Sequence, residues 1–290
     1  MSPAGWSGQF SFDAIGTSWR IDTPGELPAE IRDGVEDVIR EYDAVYSRFR
    51  SDSRIAVLAS AGGEVSLPPS GEALGTLYRT LHRLTRGGMS PLVGGPLEHL
   101  GYDAGYSFTP QGPPVPAVAW DESFQWLGTT IRSRRPVTLD VGAAGKGQLV
   151  DLVSEYLHRA GYPHHTVDAG GDMRHSGPGT LRVALEHPYA PDTAIGVVDL
   201  RDRALCASAS NRRRWADGLH HVLDATTGHC VDTVVATWVL ADDALVADAL
   251  ATALFLAPPE VLLTEFDFDY VRISSEGRAH YSSSLAGALF

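Results

Sequence analysis

The chain has 290 residues, 43% of them apolar and 20% charged, and its 23 basic against 36 acidic side chains give a net charge of −13. That length supports a sizeable core, in one large domain or two closely joined lobes. The acidic balance argues against nucleic acid or an anionic membrane as the main partner. No run of eighteen apolar residues is present to span a membrane. The first eight residues lack the basic and apolar regions of a signal peptide, and Cys206 and Cys230 form no disulfide framework. The cytoplasm is therefore the expected compartment.

Gln9 to Asp22 reads as strand, with Phe10, Phe12 and Ala14 alternating, a break at Ile15-Gly16-Thr17, then Trp19 and Ile21. From Ala29 to Tyr46, the residues Ile31, Val35, Val38, Tyr42 and Val45 make one apolar helical stripe, and Pro28 suits its start. Ser47 to Ser53 reads as a polar loop. A second helix is expected from Glu72 to about Leu84 on Leu74, Leu77, Tyr78 and Leu81, followed by a loop from Thr85 to Leu97. Tyr106 to Pro116, rich in Pro, Gly, Ser and Thr, is expected as an exposed loop and is the best internal boundary.

Pro136 to Leu139, apolar and β-branched, reads as a short strand. It leads into Asp140-Val141-Gly142-Ala143-Ala144-Gly145-Lys146-Gly147, after which Leu149, Val150, Val153 and Leu157 mark one face of a helix. Glycines let backbone N–H groups approach a ligand, and a helix start carries partial positive charge, so this stretch is a candidate phosphate site. It is neither of two common phosphate loops. Asp140 and Gly147 stand where the Walker pattern needs Gly and Ser or Thr, and Ala144 stands at the second Gly of the dinucleotide pattern. The plainer alternative is a tight turn with an incidental lysine.

A second glycine-rich turn, Asp168-Ala169-Gly170-Gly171-Asp172, follows a strand. Leu181 to Leu185 and Ala194 to Leu200 read as strands, and Ala241 to Phe255 as the C-terminal helix. Tyr270 to Ile273 and Arg278 to Ser282, around Ser274 to Gly277, read as a closing hairpin. Strands and helices mix without strict alternation, which favours an α+β fold over a doubly wound sheet.

Asp248 and Thr252 lie four apart, on one face of the last helix, where a carboxylate and a hydroxyl can hold a hard cation such as Mg²⁺. The alternative is a Thr bonded to its own helix beside a solvated Asp. His220, His221, His229 and Cys230 match no structural zinc spacing. His221, beside the turn Leu223 to Gly228, can accept a proton near neutral pH, or it can order that turn. The basic run Arg212-Arg213-Arg214-Trp215 can contact a phosphate or a partner, but a solvated face is the default expectation.

Eight stretches occur in an order that resembles the ApbE family, the FAD:protein FMN transferases. They are Ile15-Gly16-Thr17; Tyr46-Ser47-Arg48-Phe49 with Asp52-Ser53; Thr85 to Leu97; Asp140 to Gly147; Gly170-Gly171-Asp172; Cys206 to Ser210; His221 to Gly228; and Ala247 to Thr252. The resemblance implies an α+β fold with a mixed sheet, packed helices and a closing C-terminal hairpin. It implies one domain over residues 1–290, or two lobes with the FAD site between them. The activity implied is Mg²⁺-dependent cleavage of FAD and attachment of FMN to a Ser or Thr of an acceptor protein, with AMP leaving.

Residue by residue, the resemblance places Mg²⁺ on Ala143 (through its carbonyl), Asp248 and Thr252. It places the flavin nucleotide on Ile15, Phe49, Gly88, Met89, Ser90, Asp140, Lys146 and Leu223. Lys146 would sit near phosphate, and His221 is the candidate base, because a Ser or Thr hydroxyl is a poor nucleophile until its proton is taken. Asp140 would either accept from the adenosine side or order its own loop. The chain departs from the family's usual residues in several places. Ile15 replaces Met, Phe49 replaces Tyr, Ser90 replaces Asp, Leu92 replaces Thr, Ala209-Ser210 replaces Ser-Gly, and Ala225 replaces Pro. Two alternatives use the same site: an FAD pyrophosphatase giving FMN and AMP, and a non-catalytic FAD-binding protein.

Overall fold

The alternation at the start of the chain folds back on itself at Ile15-Gly16, pairing strands β1 (Gly8–Ala14) and β2 (Thr17–Thr23). The computed structural model describes residues 5–290 other than 122, 191, 212 and 217, so Arg212 of the basic run lies outside the described residues. Helix α1 (Ala29–Tyr46) has the expected bounds and buries Val35, Tyr42 and Val45 of the stripe. The loop after it is less polar in its surroundings than in its composition, because Arg48 and Ser53 are both buried.

Helix α2 (Val57–Ala61), strand β3 (Gly63–Ser66) and helix α3 (Gly71–Leu84) follow. The segment after Thr85 is not loop throughout. A single 3₁₀ turn at Pro91–Val93 runs into helix α4 (Gly94–His99), started by the Ser90 hydroxyl, which accepts the Leu92 N–H at 3.2 Å. Residues 106–116 form neither helix nor strand, as expected. Strands β4 (Phe124–Leu127) and β5 (Thr130–Ser133) join β3 in a three-stranded sheet that the sequence pattern does not reveal.

Pro136 to Leu139 is not a strand. Its N–H groups go to separate places, Val137 to the Leu58 carbonyl and Asp140, just beyond it, to the Pro91 carbonyl. With no neighbouring chain in register there is no ladder, although the residues are β-formers.

The rest of the chain runs α5 (Gly145–Arg159), β6 (His165–Ala169), β7 (Met173–Ser176), β8 (Leu181–Glu186), β9 (Ala194–Leu200) and β10 (Ala204–Ala209). Then come β11 (Arg214–Trp215), β12 (Leu219–His220), β13 (Val234–Ala241), α6 (Ala244–Leu256), α7 (Pro259–Leu262), β14 (Asp269–Ser274) and β15 (Ala279–Tyr281). The main sheet has eight strands in the order β1-β2-β6-β7-β10-β13-β14-β15, and its ladders are antiparallel. The closing hairpin is β14–β15. This is an α+β architecture.

The helix expected from Ala241 to Phe255 is α6, and it starts at Ala244 because Ala241 still belongs to β13; the short α7 follows it. Helix α6 lies between α5 and the strands β10 and β13 and is buried on most of its circumference. Its sequence, ALVADALATALFL, explains why: apart from Asp248 and Thr252 it is apolar all round. No helix among the described residues is long and apolar enough to cross a membrane.

Candidate active site

The glycine-rich stretch supplies the first turn of α5, and α6 packs directly across it. Gly147 makes the approach possible, since a Cβ there would sit 2.1 Å from the Ala244 carbonyl oxygen. Its N–H donates to Asp248 Oδ2 at 2.8 Å. One residue earlier, the Lys146 ammonium donates to the Ala169 carbonyl at 3.2 Å and pairs with Asp172 Oδ2. Asp172 Oδ1 accepts the Ala207 N–H at 3.1 Å, so Asp172 is fully buried and bridges α5 to the strand β10.

Two buried carboxylates therefore face one ammonium. Burial and the Asp172 carboxylate push the Asp248 carboxyl up to about 7, against the opposing pull of Lys146 and the Gly147 N–H. Burial lowers the affinity of Lys146 for its proton, but Asp172 and Asp248 more than offset this and leave it above the usual lysine range. The cluster is short of positive charge. Thr252, one turn along α6, makes no side-chain hydrogen bond within the described residues, so it does not bond back to its own helix, and it lines the same cavity. Among the described residues, no three His, Cys, Asp or Glu side chains gather as a metal site. The donors available are thus a carboxylate, a hydroxyl and the backbone at Ala143, all oxygens, a set that suits Mg²⁺ with its retained waters.

Asp140 orders its own loop. Its Oδ1 accepts the Gly142 N–H at 2.7 Å, and its Oδ2 accepts from Arg48 Nε at 2.5 Å. Burial pushes the Asp140 carboxyl up, yet the Arg48 guanidinium more than compensates and holds it below the usual carboxylate range. Arg48 in turn lies over the rings of Phe49, 4.1 Å from its centre, and Tyr102, at 4.9 Å.

A cavity of about 410 Å³ opens over α5 and α6. Ala143, Lys146, Asp248 and Thr252 line it, with Gly88, Met89 and Ser90 from one loop and His221 and Leu223 from another. The two loops are tied together by the Ala225 N–H, which donates to the Gly88 carbonyl at 2.9 Å. A proline at 225 could not donate that bond. An adjoining cavity of about 720 Å³ is lined by Ile15 and Phe49 and shares Asp140 and Lys146 with the first. Its wall is aromatic: Phe49 stacks on Tyr106 at 5.2 Å, and Tyr102 stacks on Trp215 at 5.3 Å. Every site residue expected from the sequence thus lies on one or other of these two walls.

His221 differs from expectation in its chemistry. Burial, with Arg213 and His220 beside it, pushes the imidazole down to about 3, and its Nδ1 is buried without a partner. It is neutral at pH 7 but a weak base in the ligand-free protein. Sequence reasoning assigned no role to Asp172 or Arg48, and for Arg213 it left contact with a phosphate or a partner as the alternative to a solvated face. Arg213 is exposed, as a solvated face requires, and it also lines both cavities, where its Nη1 donates to the Tyr102 hydroxyl at 3.4 Å. The signal available was a basic run inside an acidic chain.

The fold is α+β, and its cleft joins a corner of oxygen donors and one ammonium to an aromatic wall. The sequence profile of the ApbE family matches residues 15–267, and the chain belongs to that family. It is 28% identical over 277 residues to the FAD:protein FMN transferase of Rhodobacter capsulatus, a match covering 86% of this chain and 51% of that protein. The chain thus spans about half the length of that relative. It is 26% identical over 273 residues to the FAD:protein FMN transferase of Vibrio cholerae serotype O1, covering 85% of this chain and 80% of the relative. In fold, the crystal structure of the ApbE protein from Thermotoga maritima superposes with a TM-score of 0.82 at 22% identity, covering 98% and 99% of the two chains. The apo flavinyl transferase ApbE of Pseudomonas stutzeri superposes at 0.78 and 20% identity, covering 100% and 99%.

Proposed function

We propose that this protein transfers FMN from FAD to a Ser or Thr hydroxyl of an acceptor protein and releases AMP. The observation that carries the reading is the charge-deficient corner where the first turn of α5 meets Asp248 and Thr252, opening on an aromatic-walled cavity. The site's residues run from Ile15 to Thr252, so we read the matched region as one domain.

Asp248, Thr252 and the Ala143 carbonyl would hold Mg²⁺. The ion would neutralise charge on the pyrophosphate and polarise the bond to be broken. The start of α5 presents backbone N–H groups to the phosphates, and Lys146, anchored by Asp172, holds a fixed positive charge beside them. His221 takes the proton of the acceptor hydroxyl. The hydroxyl oxygen forms the new bond to the FMN phosphorus, and the bond from that phosphorus to the bridging oxygen breaks, leaving AMP. Arg213 is one cause of the weak basicity of His221, so a phosphate paired with Arg213 strengthens the base when substrate is present. Free Cys206 and Cys230 are consistent with a reducing, cytoplasmic setting for the acceptor.

The test is a gel assay of protein, FAD, Mg²⁺ and an acceptor carrying an exposed Ser or Thr, with and without EDTA. Flavin fluorescence on the denatured acceptor together with released AMP, both lost in EDTA, is the expected result. FMN and AMP without a labelled acceptor would mean hydrolysis. Intact FAD throughout would mean binding alone.

A further inference from the structure

Asp151 lies on α5, one turn beyond Gly147, and lines neither of the two cavities described above. Its two oxygens accept backbone N–H groups from the first turn of the other helix, Ala244 at 3.0 Å and Leu245 at 2.8 Å. In the opposite sense, Asp248 on α6 accepts the N–H of Gly147 in the first turn of α5. Each helix thus gives a carboxylate to the N-terminal turn of the other, where N–H groups lack intrahelical partners and the dipole is positive.

Neither helix caps itself. Ala144 and Asp243 occupy the two cap positions, and neither makes a side-chain cap bond. Asp243 has the right side chain for a cap, but α6 takes its cap from Asp151 instead. The Asp151 carboxyl is pushed up to about 6 by burial, against the pull of the two N–H groups and Arg174, so it is ionised at neutral pH. Arg174 stands 3.9 Å from it and also reaches Asp243, at 3.6 Å.

We propose that Asp151 is a positioning residue that locks the axial register of α6 against α5, so that Asp248, Thr252 and Lys146 face one point. The proposal rests on the reading of that corner as the metal and phosphate site. A slip of one residue along a helix is about 1.5 Å. That exceeds the tolerance of the Asp248–Gly147 hydrogen bond, and the contact of Gly147 with Ala244 leaves no slack to absorb it. An ordinary cap would affect stability alone. A register lock also sets metal affinity.

Two measurements on the full chain test this. In the first, Mg²⁺ is titrated while thermal unfolding is followed. The wild-type midpoint rises with Mg²⁺, Asp151→Asn needs about tenfold more Mg²⁺ for half of that rise, and Asp151→Glu recovers part of the loss. In the second, urea unfolding in EDTA is compared for wild type, Asp151→Asn, Asp248→Asn and the double variant. The double variant departs from the product of the single effects by roughly fivefold in the unfolding constant, because the two clasps support one register. Mg²⁺ affinity unchanged in Asp151→Asn, or effects that simply multiply, would overturn the proposal. A wild type indifferent to Mg²⁺ would remove the metal reading, and the urea comparison would still decide the clasp.

Discussion

The two ends of the cleft are built on opposite plans. At the α5–α6 corner, three charged groups are buried or half-buried and held by named partners: Lys146 by Asp172 and Ala169, Asp248 by Gly147, Asp151 by Ala244 and Leu245. At the aromatic end, Tyr106 and Phe108 stand on a stretch without helix or strand, both with positive φ, and each is nearly half exposed. Charge displacement at phosphorus requires fixed dipoles, which helix termini supply. A flat ring requires only a face to stack on, and irregular chain can supply one.

The strongest way to break this contrast is at Asp248. Asp248→Asn is expected to abolish transfer in the gel assay and yet to raise the melting midpoint in EDTA at about pH 8. The sign follows from linkage. Asp248 is raised from 3.8 to about 7, so the folded state binds its proton more tightly between those values. Stability therefore falls as pH rises through that window, and the cost is fully present above it. A variant that melts lower in EDTA would show that the wild-type carboxylate is not a net burden.

Next in size is Lys146→Ala, which leaves Asp172 buried without its cation. It is expected to cost on the order of 3 kcal/mol in urea unfolding and to lower transfer at least about a hundredfold. Loss of transfer with stability unchanged would separate two functions that the geometry joins. At the ring end, Tyr106→Ala is expected to weaken FAD binding by about tenfold while leaving the maximal rate near wild type, the loss expected for one stacking partner. A larger fall in rate than in binding would mean that the ring wall also aligns the reacting atoms.

The smallest effect is expected at Ile15, a β-branched residue at φ +44°, where Asn or Gly is the usual occupant of such a hairpin turn. Ile15→Asn should raise the melting midpoint by a few degrees, corresponding to about 1 kcal/mol of relieved strain. It should also weaken FAD binding by a few-fold, because Ile15 lines the larger cavity.

Much of this was legible in the residues. The stripe of α1 and the alternation of β1 and β2 gave elements with nearly the observed bounds. Asp248 stands out as the one charge on an otherwise apolar helix, and burying an unpaired charge is expensive enough to demand a reason. Strand β13 was not legible. Val234–Ala241 is buried on both faces, so it reads as a continuous apolar run without period. Pro136 to Leu139 failed in the other direction, since β propensity does not create a partner strand. Arg48 and Asp172, quoted only inside matching stretches, received no role because their significance lies in contacts 92 and 26 positions away, with Asp140 and Lys146, which spacing alone does not disclose.

The contact at Gly147 has a consequence for how such a protein can diverge. A side chain of any kind at 147 would drive α5 from α6, so the span between the first turn of α5 and α6 is a fixed dimension that substitutions cannot gradually retune. Drift at this corner is penalised at both helices together, whereas the ring cavity can change one residue at a time. New ligand preferences on this scaffold should therefore arise at the aromatic wall, around an unaltered α5–α6 corner.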